Sequence, residues 1–232
     1  MDQLLLGDLT INTSNAKLWS PRPDWERLHG KRDDILNQLM SLRAPELQTA
    51  SGAKQSPHES GIASSPRSRY APKNTGPLDQ RLLAMTFPEF SNSLISALAT
   101  ADLPSSLTAA KQLAGLGAGL TPAGDDFILG AILAAWIIHP PEVARILAEE
   151  ITNIAAPLTT SLSAAWLRSA GRGEAGILWH EFFDALISAK EMRVQEAIDK
   201  IFAMGETSGA DALAGFFGTT MFWWKVGATC PS

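Results

Sequence analysis

One run of the sequence strongly limits how the chain can fold. Residues 127–138, FILGAILAAWII, contain only apolar side chains and one glycine over twelve positions. A helix that is apolar on every side has to be buried in protein or in lipid. Because a bilayer span needs about 20 such residues, this run is too short to cross a membrane. We therefore predict a buried core helix over residues 127–138, ended by His139-Pro140-Pro141.

The sequence from residue 78 onward has helical spacing throughout. Apolar residues recur at intervals of three and four, as in Val194, Ala197, Ile198 and Ile201, and prolines or glycines separate the segments. The predicted helices span residues 78–99 with a break at Phe87–Pro88, then 104–116, 127–138, 142–154, 160–170, 174–189, 191–204 and 210–224. No strand-like run recurs after residue 28, so a parallel sheet with alternating helices is not expected.

The first third of the chain has a different character. Residues 1–28 are predicted to form β-strands and turns, because LLLGDLTIN favours strands and WSPRPDW contains two prolines. Residues 31–43 are predicted to form a short helix. Residues 48–77 are rich in Ser and Pro and are predicted to be a mobile insertion, with a functional lid as the alternative. The expected fold is a mainly α, multi-helix domain over 78–232 with a small N-terminal β part (α+β).

Charge and cysteine content exclude several classes of protein. The net charge of −5 gives no reason to expect nucleic acid as a partner. Cys230 is the single cysteine, so neither an intrachain disulfide nor a Cys-rich zinc site is expected. The N-terminal sequence MDQLLLGDLTIN is not typical of a signal peptide. We expect a cytoplasmic protein that binds neither membrane nor nucleic acid.

Two segments combine glycines with aspartates, GLGAGLTPAGDDFILG at 115–130 and GETSGADALAG at 205–215. In each, an aspartate lies four residues before a glycine: Asp126 before Gly130, and Asp211 before Gly215. One interpretation is a pair of functional loops, since glycine loops at helix starts readily receive anions. The other is purely structural, with Thr121 or Ser208 capping a helix and the glycines allowing close packing. The residues alone leave both interpretations open.

Together with the middle segment TTSLSAAWLRSAGRGE, the two segments resemble a bacterial family of formerly uncharacterised proteins. That family includes the third subunit of oxamate carbamoyltransferase, from allantoin degradation. The resemblance covers roughly residues 1–224, and the run G-x-G-x-G-L-T-P-x-G-D-D is its most specific part. It implies a subunit in the exchange between oxalurate plus phosphate and oxamate plus carbamoyl phosphate, a step of purine catabolism, with other enzyme subunits as partners.

The substrates of that reaction are small anions, which bind to backbone N–H groups and hydroxyls. The expected catalytic residues are Asp125, Asp126 and Asp211. The expected substrate-binding residues are Gly117, Gly119, Thr121, Gly124, Thr207, Ser208, Gly209, Thr160 and Arg168. This prediction requires the two glycine turns to lie together around one pocket.

A carboxylate next to a phosphate repels it unless a cation bridges the two. Asp125 and Asp126 therefore either hold Mg²⁺ or stabilise the loop by accepting N–H bonds. Asp126 is favoured as the structural or metal-directed residue, and Asp125 as the more exposed one. No cofactor is otherwise indicated. The leading function is a component of a carbamoyl-transfer enzyme, and the alternative is a non-catalytic scaffold or a metabolite-binding regulatory subunit.

Overall fold

The computed structural model describes residues 3–6, 9–12, 19–49 and 88–229. In chain order the elements are β1 (Gln3–Leu6), β2 (Leu9–Asn12), α1 (Trp25–Gly30), α2 (Arg32–Thr49), α3 (Pro88–Ala99), α4 (Leu103–Leu113), α5 (Ala123–Ile138), α6 (Pro141–Ala155), α7 (Ser161–Gly171), α8 (Ile177–Ser188), α9 (Glu191–Phe202) and α10 (Ser208–Thr229). A short 3-10 helix, Ala156–Leu158, connects α6 to α7. The prediction of a mainly helical fold is confirmed.

The N-terminal prediction is less well supported. β1 and β2 pair as an antiparallel hairpin, with Gln3 opposite Asn12 and Leu6 opposite Leu9. This hairpin alone does not establish an N-terminal β part of the fold. The end of the predicted strand-and-turn segment is helical instead, because Asp24 caps α1 by accepting a hydrogen bond from the N–H of Arg27 at 3.0 Å.

The helix predicted over residues 31–43 is present as α2, which continues to Thr49. The predicted insertion at 48–77 lies outside the described residues from position 50 onward, as does the first part of the helix predicted over 78–99. The described part of that helix is α3, which begins at Pro88, where the break was predicted.

The apolar run 127–138 forms the core helix that the sequence predicts. It lies in α5, which packs against α1, α3, α4, α6, α7 and α10. Near its end, the Trp136 indole N–H donates to the carbonyl oxygen of Ala170 at 3.1 Å, and its ring stacks on Trp25 with centroids 5.6 Å apart. Within the described residues, no helix has the length and apolar character needed to span a membrane.

The most extensive helix–helix contact joins α5 to α10, and two glycines make it possible. A Cβ added to Gly130 would lie 1.8 Å from the carbonyl oxygen of Ala212, and one added to Gly215 would lie 2.1 Å from that of Phe127. The two contacts are equivalent: each glycine meets the carbonyl of the residue that follows the aspartate of the other helix. The hydroxyls of Thr121 and Ser208, at the starts of the two helices, are also 2.9 Å apart, so α5 and α10 run in the same direction. The packing interpretation of Gly130 and Gly215 is therefore confirmed.

We expect Gly130→Ala and Gly215→Ala each to destabilise the protein. The new methyl group would have to displace a backbone carbonyl of the facing helix, and such overpacking typically costs about 1–3 kcal/mol. This loss should outweigh the roughly 1 kcal/mol by which alanine is favoured over glycine within a helix. Urea unfolding monitored by circular dichroism measures the difference.

Gly227→Ala is the matched control, because Gly227 lies in the same helix as Gly215 but is exposed, with nothing within 4 Å of an added Cβ. It should leave stability unchanged or raise it by up to about 1 kcal/mol. Equal effects of the substitutions at 215 and 227 would contradict the close helix contact.

Candidate functional site

The two glycine turns lie next to each other at the starts of α5 and α10. The hydroxyl of Thr121, two residues before α5, is 2.9 Å from that of Ser208, the first residue of α10. Thr121 does not cap α5: the N-cap position is occupied by Pro122, which has no side-chain hydrogen bond to the helix. The expectation that the two turns are neighbours is thus confirmed, but Thr121 joins the two helix starts rather than capping one of them.

Asp125 fixes the first loop from inside the protein. Its side chain is 2% exposed, and its Oδ1 accepts a hydrogen bond from the backbone N–H of Gly115 at 2.9 Å. The hydroxyl of Thr159 donates to its Oδ2. The expectation that Asp125 is the more exposed of the two adjacent aspartates is wrong, since Asp126 is only partly buried. The reason is that Asp125 faces the segment before α7, which covers it.

These hydrogen bonds also bear on the predicted Mg²⁺ site. Each carboxylate oxygen of Asp125 accepts a hydrogen bond within the chain, from Gly115 and from Thr159. Among the described residues, no group of three or more His, Cys, Asp or Glu side chains is arranged to hold a metal ion. The alternative from the sequence, in which an aspartate stabilises the loop, fits Asp125.

Asp126 and Asp211 occupy equivalent positions on the two parallel helices, each four residues before a packing glycine. Asp211 is 1% exposed. In both side chains the Oδ2 atom is buried and has no hydrogen-bond partner among the described residues. Buried polar atoms are nearly always hydrogen-bonded. Two buried oxygens without a hydrogen bond, at equivalent positions of two helices, are therefore unusual and identify the candidate site.

Burial changes the acidity of both groups. It raises the pKa of Asp126 to about 7; the hydroxyl of Ser208 opposes this rise, while the charges of Asp211 and Asp125 add to it. Burial also raises the pKa of Asp211 to about 6, opposed by the hydroxyl of Thr207. Side chains with strongly shifted pKa values are concentrated at functional sites. The pair therefore changes its protonation close to neutral pH.

The first loop presents backbone N–H groups just before the start of α5. Gly117 and Gly119 have φ angles of +119° and +98°, which favour glycine, and residues 117–120 are exposed. Within the described part of the chain, the N–H groups of residues 117–120 have no hydrogen-bond acceptor. The loop that was predicted to bind an anion thus has free donors at a helix start.

Gly124 and Gly209 serve a different purpose. Their N–H groups already donate to the carbonyl oxygens of Leu116 at 2.8 Å and Met204 at 3.0 Å. A Cβ at Gly124 would lie 2.0 Å from the carbonyl oxygen of Leu113, and one at Gly209 would lie 1.8 Å from that of Ile201. Each glycine thus lets its helix start directly against the end of the preceding helix, and its N–H is not free for a ligand.

Two further predicted binding residues, Thr160 and Arg168, lie in different places in the structure. Thr160 caps α7 by accepting from the N–H of Ser163 at 3.1 Å, and its hydroxyl donates to the carbonyl oxygen of Leu120 at 2.5 Å. It therefore lies against the loop. Arg168 is two turns further along α7, in a separate surface depression shared with Glu149 and Arg172. It is not brought together with Asp126 and Asp211.

The sequence analysis did not predict which residues Asp125 contacts when it holds the first loop. Gly115 and Thr159 meet through Asp125, although 44 positions separate them in the sequence. No local pattern signals such a contact.

The fold and the site define a helical protein in which two Gly-Asp helix starts lie together. Residues 113–220 match the model of a family described as oxamate carbamoyltransferase subunit AllH. This match confirms the resemblance over these residues, and it contains all three segments that carry it. No solved structure matches the chain.

We expect Asp211→Asn to make the free energy of unfolding less dependent on pH. Since the folded state raises the pKa of Asp211 from 3.8 to about 6, it binds the proton more tightly than the unfolded chain. The resulting stabilisation is complete below the unfolded value and is lost as pH rises through the folded one. Between pH 4 and pH 8, the variant should therefore gain roughly 1–3 kcal/mol relative to the unsubstituted protein. Urea unfolding at several pH values measures this gain.

Asp102→Asn provides the opposite control. Hydrogen bonds from the hydroxyl and the N–H of Ser105 lower the pKa of this exposed residue, so its contribution is present above the unfolded pKa and is lost as pH falls. If the free energy of unfolding has the same pH dependence in Asp211→Asn as in the unsubstituted protein, folding does not shift the pKa of Asp211.

Proposed function

We propose that this chain is the component of a carbamoyl-transfer enzyme that binds the small anionic metabolites, oxamate or oxalurate and carbamoyl phosphate, at its glycine-rich helix starts. The observation that carries this proposal is the position of the unpartnered carboxyl oxygens of Asp126 and Asp211 at the adjacent starts of two parallel helices. The family match over residues 113–220 supplies the class of reaction. We place this activity in the cytoplasm, in purine catabolism.

Anion binding is supported by the backbone around the pair. The positive ends of the dipoles of α5 and α10 lie together, and each favours negative charge nearby. The free N–H groups of Gly117 and Gly119 add donors on the exposed side. Ionised aspartates would repel the ligand, but at pKa values of about 7 and 6 this pair is partly protonated near neutral pH. The repulsion that the sequence suggested is thereby reduced without a metal ion.

The reaction requires one proton transfer that Asp126 is suited to assist. When the amide nitrogen of oxamate forms a bond to the carbamoyl carbon, the bond from that carbon to the phosphate oxygen breaks. The nitrogen loses one proton, and the released phosphate takes one up. A general base works best when its pKa lies near the working pH. In this scheme Asp126 accepts the proton, Asp211 helps to raise its pKa, and Asp125 holds the loop in place.

The alternative of a scaffold or regulatory subunit is favoured by a different observation. Leu162 and Trp166 lie four residues apart on one face of α7 and are 42% and 49% exposed. Leu158 just before α7 and Leu120 in the glycine loop are 46% and 74% exposed. Contiguous exposed apolar side chains are typical of protein contacts. On this alternative, α7 and the loop supply a surface for another subunit and no catalytic group.

Asp126→Asn should lower turnover in the enzyme assembled with its other subunits without lowering the melting temperature, because the folded state disfavours the ionised form of this carboxyl. Removing a general base typically reduces kcat by about 10²- to 10⁴-fold. Carbamoyl phosphate formation from oxalurate and phosphate gives the rate, and differential scanning fluorimetry gives the melting temperature. Asp125→Asn should instead lower the melting temperature, because the loop loses its anchor.

Glu206→Gln is the matched control, because it removes a carboxylate from an exposed position next to the second turn. It should retain full turnover. If Asp126→Asn also retains full turnover, while Trp166→Ser prevents assembly with the other subunits, the scaffold alternative is the correct one.

A further inference from the structure

A surface depression lies between α6 and α7, and both helices contribute to it in the same way. Each supplies three residues at positions i, i+3 and i+4, which share one face of a helix. The depression has a volume of about 250 Å³. This is below the roughly 300–1,000 Å³ of sites for drug-sized ligands, so the depression suits a smaller molecule. The lining residues are Glu149, Thr152 and Asn153 of α6 and Arg168, Gly171 and Arg172 of α7.

The two buried lining residues, Thr152 and Gly171, form the floor of the depression. Thr152 is 5% exposed, and its hydroxyl donates to the carbonyl oxygen of Leu167 at 3.1 Å. A Cβ added to Gly171 would lie 2.6 Å from the oxygen of that hydroxyl. Because no side chain extends from Gly171, the space above the floor stays open. The other four lining residues are exposed, so a ligand can enter from solvent.

The exposed lining residues carry opposite charges that do not neutralise each other. Oε2 of Glu149 is paired with Arg145 of the same helix at 3.1 Å, and Arg172 is paired with both carboxylate oxygens of Glu174 at 3.0 and 2.6 Å. Within the described residues, neither the guanidinium of Arg168 nor Oε1 of Glu149 has a hydrogen-bond or ion-pair partner. A cation and an anionic oxygen thus line one depression without forming an ion pair with each other.

We propose that this depression binds a free α-amino acid. A guanidinium binds a carboxylate through two parallel hydrogen bonds, and Arg168 is available for this contact. Oε1 of Glu149 can only accept hydrogen bonds, which suits an ammonium group. The amide oxygen of Asn153, four residues further along the same face of α6, supplies a second acceptor. The two charges of the ligand then lie opposite the two unpaired charges of the protein.

The opposite charges of the lining also determine which ligands are disfavoured. A simple carboxylate would satisfy Arg168 but would bring a second negative charge near Glu149, and a simple amine would leave Arg168 without a partner. Only a small molecule that carries both groups satisfies both residues. The inference is independent of the proposed function, because the depression includes no residue of either glycine turn.

Ligand titration of the full chain tests the inference. Differential scanning fluorimetry with each of the common L-amino acids identifies those that raise the melting temperature, and isothermal titration measures their affinity. At least one should bind with a dissociation constant below about 1 mM. Its hydroxy-acid analogue, in which a hydroxyl replaces the ammonium, and its amide, which lacks the carboxylate, should each bind at least about tenfold more weakly. That factor corresponds to the loss of one charge-assisted hydrogen bond.

Two substitutions assign the ends of the ligand to the two residues. Arg168→Gln should weaken binding of the amino acid at least about tenfold. Glu149→Gln should remove the preference for the amino acid over its hydroxy-acid analogue. The matched controls are Arg193→Gln and Glu150→Gln, which change exposed residues that do not line the depression and should leave both results unaltered. All four side chains are on the surface, and circular dichroism checks that the variants are folded.

Several outcomes would overturn the inference. They are the absence of binding by any amino acid at about 10 mM, well above the dissociation constant expected here, and equal affinity of the unsubstituted chain for the amino acid and its hydroxy-acid analogue. Unchanged affinity in Arg168→Gln, or an unchanged preference in Glu149→Gln, would show that the ligand binds elsewhere. None of these results affects the proposed function, which depends on the two helix starts.

Discussion

The close approach of α5 and α10 is the constraint on which the rest of the structure depends. The carbonyl oxygen of Ala212 occupies the space that a side chain would take at Gly130, and that of Phe127 occupies the corresponding space at Gly215. A helix held this tightly on one side and packed by five others cannot present a polar face, which explains the apolar character of residues 127–138. The same contact aligns the two helix starts, so Asp126 and Asp211 become neighbours. The contact between α5 and α10 therefore determines both the packing of the core and the positions of the two aspartates.

Two opposing electrostatic effects act on this pair. The N-terminal ends of α5 and α10 favour ionised carboxylates, by roughly 0.3–1 kcal/mol for each helix at an exposed site. Burial favours the neutral forms and is the first cause of the raised pKa of both Asp126 and Asp211. The hydroxyls of Ser208 and Thr207 oppose this effect, yet the pKa values remain raised to about 7 for Asp126 and about 6 for Asp211. The two carboxyls can therefore gain or lose a proton near neutral pH.

The sequence predicts the parts of this structure that depend on local spacing. The core helix, the helical class and the repeated Asp-x-x-x-Gly pattern all follow from periodicity along the chain. The roles of the adjacent residues Asp125 and Asp126 do not, because successive helical positions point in directions about 100° apart and only the neighbouring elements determine which one is buried. Similarly, Gly117 and Gly124 look equivalent in the sequence, yet only the latter has its N–H bonded within the chain. These distinctions require the relative positions of α4, α5 and the segment before α7.

The two helix starts share a pattern but differ in what they offer a ligand. The first follows an exposed loop with free N–H groups, whereas the second is a short turn that contributes Ser208 and the more buried aspartate. The family match extends from Leu113, the last residue of α4, to Thr220 within α10. It therefore spans both starts and both packing glycines, but ends before the last turns of α10. The matched segment is therefore the stretch of the chain that contains both parts of the proposed site.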